Sequence, residues 1–308
     1  MEPETLLISV PGGFKVYVEH YRINPSFETV ILVNGALATT TSFNQTVKYL
    51  KDSFNVVLYD LPYAGQSKQH NDNSALLTKD NEVDILSFLI GRFEPSHLIS
   101  ISWGGVAALL ALSRAPKSVK KAVIGSFSPK LNAAMLDYLD KGQQYLETND
   151  QAGASALLNS TVGKYLPRLL KLYNYRYLSN LAEHEYAQIA FHMQQIRQLD
   201  SQRYVDRFVG IKIPVLFVNG ELDEYTTASD IRPLSQYIRH SRFVTVPATG
   251  HFLDLENKRS WGEVRRITNE FLLDTAEAKA EAKAESVAEA TANAVDVVRS
   301  FGPAFATS

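Results

Sequence analysis

Cysteine is absent from the 308 residues of this protein. Disulfides, thiolate nucleophiles and cysteine-ligated metals are thereby excluded, and the composition suits a reducing compartment. An excess of one charge is also missing. The 31 Lys and Arg face 33 Asp and Glu, a formal net charge of −2 with no dominant block, so nucleic-acid binding has no electrostatic support. No apolar run reaches the roughly 18 residues of a membrane-crossing helix. The opening Met1-Glu2-Pro3-Glu4-Thr5 is acidic and lacks the apolar core of a secretory leader, and a cytoplasmic location is expected. A His-Glu-x-x-His run is lacking and the seven histidines are scattered, so no metal centre is expected.

What is present is the apparatus of an α/β protein. Leu6–Val10 and Lys15–Tyr21 read as an antiparallel edge hairpin through Pro11-Gly12-Gly13. Buried strands follow at Thr29–Asn34, Phe54–Asp60, Leu98–Ile101, Lys121–Ser126, Ile213–Asn219 and Arg242–Val246. Helical patterns separate several of them, at 44–50, 78–93 and after Gly104. This alternation predicts a mostly parallel sheet covered on both faces, with the chemistry beyond the strands' carboxyl ends. From 130 to 204 strand patterns stop. Apolar stripes at Met135–Leu146, Leu157–Leu170 and Ile189–Ile196 predict an inserted helical cap. The expected organisation is a first core part over 1–129, the cap over 130–204, a second core part over 205–274 and an Ala/Glu-rich tail over 275–308. In that tail Glu277, Glu281, Glu285 and Glu289 recur every fourth residue, and an exposed, frayed helix or a disordered segment is expected.

Ser102 lies between the strand Leu98-Ile99-Ser100-Ile101 and the helical run Val106–Leu112, with small residues two positions to either side. This is the layout of a nucleophile elbow, with Gly104 at one flank and Ser100 where glycine is usual at the other. The competing reading is a serine capping an ordinary helix. Later residues weigh against it. Gly220-Glu221-Leu222-Asp223-Glu224 places carboxylates just past one strand, and Gly250-His251-Phe252 follows another, giving the order serine, acid, histidine. Asp223 is preferred to Glu221 and Glu224, because Gly220 permits a sharp turn and the shorter side chain suits a fixed partner. The chemistry needs all three: an imidazole to take the serine proton, an acid to hold the imidazole's tautomer, and backbone N–H groups for the oxyanion. Those donors are expected at Trp103 and at Ala36, in the loop opened by Gly35; a plain strand-to-helix loop is the alternative for 35–43.

Val33–Thr40, Phe54–Asp60, Ser102–Gly105, Asp223–Thr227 and Gly250–Asp254 together resemble an α/β-hydrolase-fold family of two related bacterial enzymes. One is the rhamnolipid-precursor synthase. The other is the 3-hydroxyacyl-acyl-carrier-protein transacylase, also described as a thioesterase, that feeds polyhydroxyalkanoate synthesis. The resemblance covers about residues 1–272 by the extent of matching motifs. It implies Ser102 as nucleophile, Asp223 as acid and His251 as base. It also implies medium-chain (R)-3-hydroxyacyl substrates on the phosphopantetheine of acyl carrier protein or on coenzyme A, with no bound cofactor. Asp60–Asn71 looks closer to the synthase. Val119–Val123, Phe127–Pro129 and Asn174–Arg176 look closer to the transacylase. The balance falls slightly toward the synthase, for which a downstream glycosyltransferase is the implied partner. Transfer to coenzyme A, hydrolysis and a non-catalytic acyl-binding protein are the rivals. In the cap, Tyr165, Leu169, Tyr173 and Phe191 are candidates to line an acyl tunnel. Lys164, Arg168, Lys171 and Arg176 are candidates to meet an acidic carrier; core packing and a solvated helix face are the respective alternatives.

Overall fold

The structure is a computed structural model that describes residues 2–72, 75–199 and 201–274. It divides into a main unit, Met1–Thr268, and a C-terminal unit beginning at Asn269. The tail expected over 275–308 lies outside the described residues.

The main unit is built on eight strands: β1 (Glu4–Val10), β2 (Phe14–Tyr21), β3 (Thr29–Val33), β4 (Asn55–Tyr59), β5 (His97–Ile101), β6 (Lys121–Gly125), β7 (Val215–Gly220) and β8 (Ser241–Val246). They form one sheet in the order β1-β2-β4-β3-β5-β6-β7-β8. Only β2 runs against its neighbours; every pairing from β4 to β8 is parallel. The edge hairpin turns through Gly12 and Gly13, whose φ values of 84° and 77° suit residues without a Cβ.

The helices are α1 (Asn44–Leu50), α2 (Lys79–Phe93), α3 (Gly104–Ser113), α4 (Ala133–Glu147), α5 (Gln151–Ser160), α6 (Arg168–Leu178), α7 (Glu183–Gln198), α8 (Ser201–Val205), α9 (Ala228–Ile231) and α10 (Lys258–Leu273). Strand residues alternate between the two faces of the sheet. Ile31, Val57, Leu98, Ile124 and Phe217 share one buried cluster with α2 and α3. The residues between them, among them Leu32, Leu58, Ile99, Val123 and Leu216, are buried on the opposite face. Burial on both faces is why these strands read as unbroken apolar runs. Helix α3 is apolar all round and buried from Gly104 to Leu112, as its position against the sheet requires.

All of α4–α8 falls between β6 and β7. The stripe Leu157–Leu170 is not one helix. The backbone leaves α5 at Thr161, turns through Gly163 and restarts at Arg168 after Pro167, whose ring cannot continue a helix. The restart sets which residues of α6 face inward. The strand order reverses between β3 and β5, so the loops after these two strands meet beside a crevice at the carboxyl edge.

Candidate active site

Ser102 follows β5 in the left-handed region, at φ 55°, a conformation uncommon for a residue with a Cβ. Its amide donates to Gly125 O at 2.8 Å, tying the turn to β6. Two glycines make the elbow fit against the loop after β3. A Cβ on Gly35 would come within 3.0 Å of Ile101 O and 3.2 Å of the Ser102 Cβ, and one on Gly104 would run into the backbone oxygen of Asn34. The register explains the closeness: Val33 pairs with Ser100, so Gly35 arrives opposite Ser102. Ser100 itself is wholly buried, and its hydroxyl has no hydrogen-bond partner among the described residues. Serine at the flank is therefore accommodated by the space available, not recruited for a bond.

The backbone N–H groups of Ala36 and Trp103 flank Ser102 on these two loops, and neither donates to another described residue. Asp60, buried at the end of β4, braces the first loop by accepting from Thr40 N at 2.7 Å, and it holds the next loop through Gln66 N at 2.8 Å. Burial pushes its carboxyl above the usual range, while these two amides oppose the rise.

His251 Nε2 lies 2.9 Å from Ser102 Oγ, and its Nδ1 lies 2.8 Å from Asp223 Oδ2. Asp223 also accepts from Thr226 Oγ1 at 2.5 Å, Tyr225 N at 3.0 Å and Thr226 N at 3.1 Å. Burial works to raise the Asp223 carboxyl. The His251 charge and the donated hydrogen bonds outweigh it and hold the group below the usual carboxylate range. The histidine loop is fixed from two sides. Glu256 accepts from Gly250 N at 2.7 Å and Phe252 N at 3.1 Å, and Ser126 Oγ donates to His251 O at 2.5 Å. The other two carboxylates near the acid are engaged elsewhere: Glu221 accepts from Ala248 N at 2.7 Å, and Glu224 pairs with Lys164 at 3.5 Å. A relay of this geometry can draw a proton from a serine hydroxyl and stabilise the imidazolium that results.

The serine and histidine open into a cavity of about 1530 Å³ between the carboxyl edge and the cap. Its cap wall includes Leu166, Leu170, Tyr173, Tyr177, Met193 and Ile196. Of the four tunnel candidates, Tyr173 lines this cavity and the others do not. Leu169 is 79% exposed on the outer face of α6, one position from Leu170, which does line it. Phe191 flanks the lining residue His192. Tyr165 instead lays its ring against Gly250, so that a Cβ there would meet it at 2.6 Å. These displacements come from the break before α6 and from the register of α7.

Of the four basic candidates, Lys164 pairs with Glu224, and Lys171 donates to Lys164 O at 2.6 Å on the surface. Arg168 and Arg176 are exposed. Spacings of four and three residues put them on one face of α6 with Leu172, Tyr175 and Leu169. Sequence reasoning missed a polar stripe on α7. Glu185, Gln188 and His192 are all buried, at i, i+3 and i+7, and that spacing was the signal available.

Residues 28–258 match the family described as alpha/beta hydrolase fold, and the protein belongs to that family. Solved structures bear the same architecture. An alpha/beta hydrolase enzyme, MGS-M2, from a Medee basin deep-sea metagenome library superposes with a TM-score of 0.72 at 16% identity, covering 88% of this protein and 98% of that one. The enol-lactonase from Burkholderia xenovorans LB400 gives 0.71 at 17% identity, covering 87% of this protein and 100% of that one. Within the family the sequence is similar to the (R)-3-hydroxydecanoyl-ACP:CoA transacylase of Pseudomonas aeruginosa, 48% identical over 88% of this protein and 91% of the relative. The enzyme of that name from Pseudomonas putida is also 48% identical, over 89% and 93%. The activity named for these relatives is that of the transacylase, not of the precursor synthase toward which the motifs leaned.

Proposed function

We propose that this protein transfers medium-chain (R)-3-hydroxyacyl groups from acyl carrier protein to coenzyme A through an acyl-enzyme on Ser102. The observation that carries the reading is the Ser102–His251–Asp223 relay opening into a cavity of about 1530 Å³ walled by apolar side chains. The choice of acceptor is supported by the activity named for the relatives at 48% identity.

Ser102 Oγ attacks the thioester carbonyl while His251 Nε2 takes its proton. The amides of Ala36 and Trp103 receive the charge that develops on the carbonyl oxygen. Collapse breaks the C–S bond, and His251 returns the proton to the departing carrier thiol. The coenzyme A thiol then gives its proton to His251 and attacks the acyl-enzyme, and Ser102 recovers the proton as the new thioester leaves. The apolar cap excludes water, which favours the thiol over hydrolysis.

The cavity supports a second reading. It exceeds the roughly 300–1,000 Å³ of ordinary small-ligand sites. That leaves room for a second acyl group whose 3-hydroxyl attacks in place of the thiol, giving the dimeric ester of the precursor synthase. Pure protein given 3-hydroxydecanoyl carrier with and without coenzyme A decides by product mass. Acyl-coenzyme A is the expected product, dimeric ester selects the second reading, and free acid formed irrespective of coenzyme A overturns both.

The outer face of α6 is the proposed docking site for the acidic carrier. Reversing both exposed charges (Arg168→Glu with Arg176→Glu) is expected to raise KM for carrier-bound substrate about 5- to 30-fold, because two rim charges together contribute on the order of 1–2 kcal/mol. KM for a small ester stays unchanged. Equal effects on both substrates would remove this assignment.

A further inference from the structure

A second group of ionisable side chains lies buried beside the elbow, and the acyl-transfer steps do not use it. Lys79 opens α2 and Glu82 stands one turn on; they are 6% and 3% exposed, and their charged atoms are 2.5 Å apart. His192, on α7 of the cap, accepts at Nε2 from Gln188 Nε2 at 2.9 Å and stands 3.2 Å from Glu82 Oε1, an oxygen with no hydrogen bond among the described residues. The Gln188 amide is itself fixed by the Leu77 backbone, accepting from Leu77 N at 2.8 Å and donating to Leu77 O at 2.9 Å. Lys68 pairs with Glu185 one turn earlier on the same stripe of α7, at 3.2 Å. The cap helix therefore meets Lys68, Leu77 and Glu82 through polar groups where an ordinary core contact is apolar.

The other side of this group is Trp103. The Lys79 ammonium stands 4.0 Å from the centroid of the indole, a close cation–π contact. The His192 ring lies 6.2 Å from the indole and 5.2 Å from Tyr63. Among the described residues, Trp103 Nε1 is buried with no hydrogen-bond partner, so none of them orients the indole through that nitrogen. Burying an ammonium and a carboxylate is costly unless each is paired, and burial draws the Lys79 ammonium down to about 8 against the pull of Glu82. A fold that retains such a pair here, next to the residue after Ser102, retains a constraint on that residue.

We propose that Lys79, Glu82 and His192 are positioning residues that clamp the Trp103 indole between the core and α7, and thereby aim the Trp103 backbone N–H at the oxyanion. Seating of the cap helix and completion of the oxyanion site are then one event. The inference rests on the reading of Ser102 as nucleophile and of the Trp103 amide as an oxyanion donor.

The test is a double-mutant cycle between K79M/E82Q, which removes both buried charges together, and W103F, which keeps the amide but replaces the indole. The readouts are kcat and KM for a small p-nitrophenyl ester, the Ser102 acyl adduct by mass, and Trp103 emission in a Trp261→Phe background. For K79M/E82Q the expected result is a fall in kcat of about 10- to 100-fold, the scale of a slight misplacement of a catalytic group, with KM within threefold and Trp103 emission shifted. The losses from K79M/E82Q and W103F are expected not to add, because both act through the same ring. His192→Phe should lower kcat in the same way, and His192→Gln, whose side-chain oxygen can still accept from the Gln188 amide, should recover most of it. These two variants carry the test if K79M/E82Q fails to fold. Unchanged kcat in the folded variants, or losses that multiply in the cycle, overturns the proposal. Absence of any Ser102 adduct in the wild type removes the underlying reading instead, which separates the two failures.

Discussion

Ser102→Ala is expected to yield a folded protein that forms no acyl-enzyme and turns over about 10⁴- to 10⁶-fold more slowly, the scale seen when a serine nucleophile is lost. Folding is expected to survive because alanine meets the same strain at φ 55° that serine does. The bonds that hold the turn also come from backbone: Ser102 N donates to Gly125 O and Gly105 N to Ser102 O. Among the described residues, the only hydrogen bond deleted is the one to His251 Nε2. Intact-protein mass after mixing with a 3-hydroxyacyl thioester reads the adduct, and thermal melting reads the fold. Full turnover by the alanine protein would sink the assignment of Ser102.

Asp223→Asn is expected to cost about 10⁴-fold in kcat with the backbone unmoved. The reason lies in which oxygen is replaced. Oδ1 accepts from the amides of Tyr225 and Thr226, and Oδ2 accepts from Thr226 Oγ1 and faces His251 Nδ1. An asparagine keeps its oxygen toward the two amides, so its NH₂ faces the histidine. Nδ1 must then accept, the ring proton moves to Nε2, and Ser102 meets a donor where it needs an acceptor. Glu221 and Glu224 are held by Ala248 N and Lys164 and do not substitute. Because the folded carboxyl lies below its ordinary value of roughly 3.9, its ionised form stabilises the wild type above that pH. That contribution fades as pH falls through the lower folded value. The wild type's stability advantage over D223N should therefore shrink in acid, measured by denaturant melts at pH 7 and pH 3. Equal kcat in the two proteins would show that another acid serves His251.

The sheet was legible because its central strands are buried on both faces and read as continuous apolar runs. Their ends then place Ser102, Asp223 and His251 at one edge before any contact is known. The cap was less legible. Apolar residues from 157 to 170 carry a helical pattern across a break that Gly163 and Pro167 mark only weakly, and a one-residue shift exchanges Leu170 for Leu169 on the cavity wall. The stripe Glu185–Gln188–His192 escaped notice because polar residues at helical spacing ordinarily face water. The identity of the acyl acceptor was not legible in the motifs at all, since the elbow and its partners serve a thiol, an alcohol or water alike.

The ring of Tyr165 occupies the space a side chain at position 250 would need. Bulk at one of these two sites therefore forbids bulk at the other, although 85 residues separate them in the sequence. Glu256 Oε1 would also stand 2.8 Å from that Cβ, so a smaller residue at 165 does not by itself release the glycine; the tyrosine and the glutamate impose it together. Drift in the cap and drift in the hydrolase core are coupled at this one point.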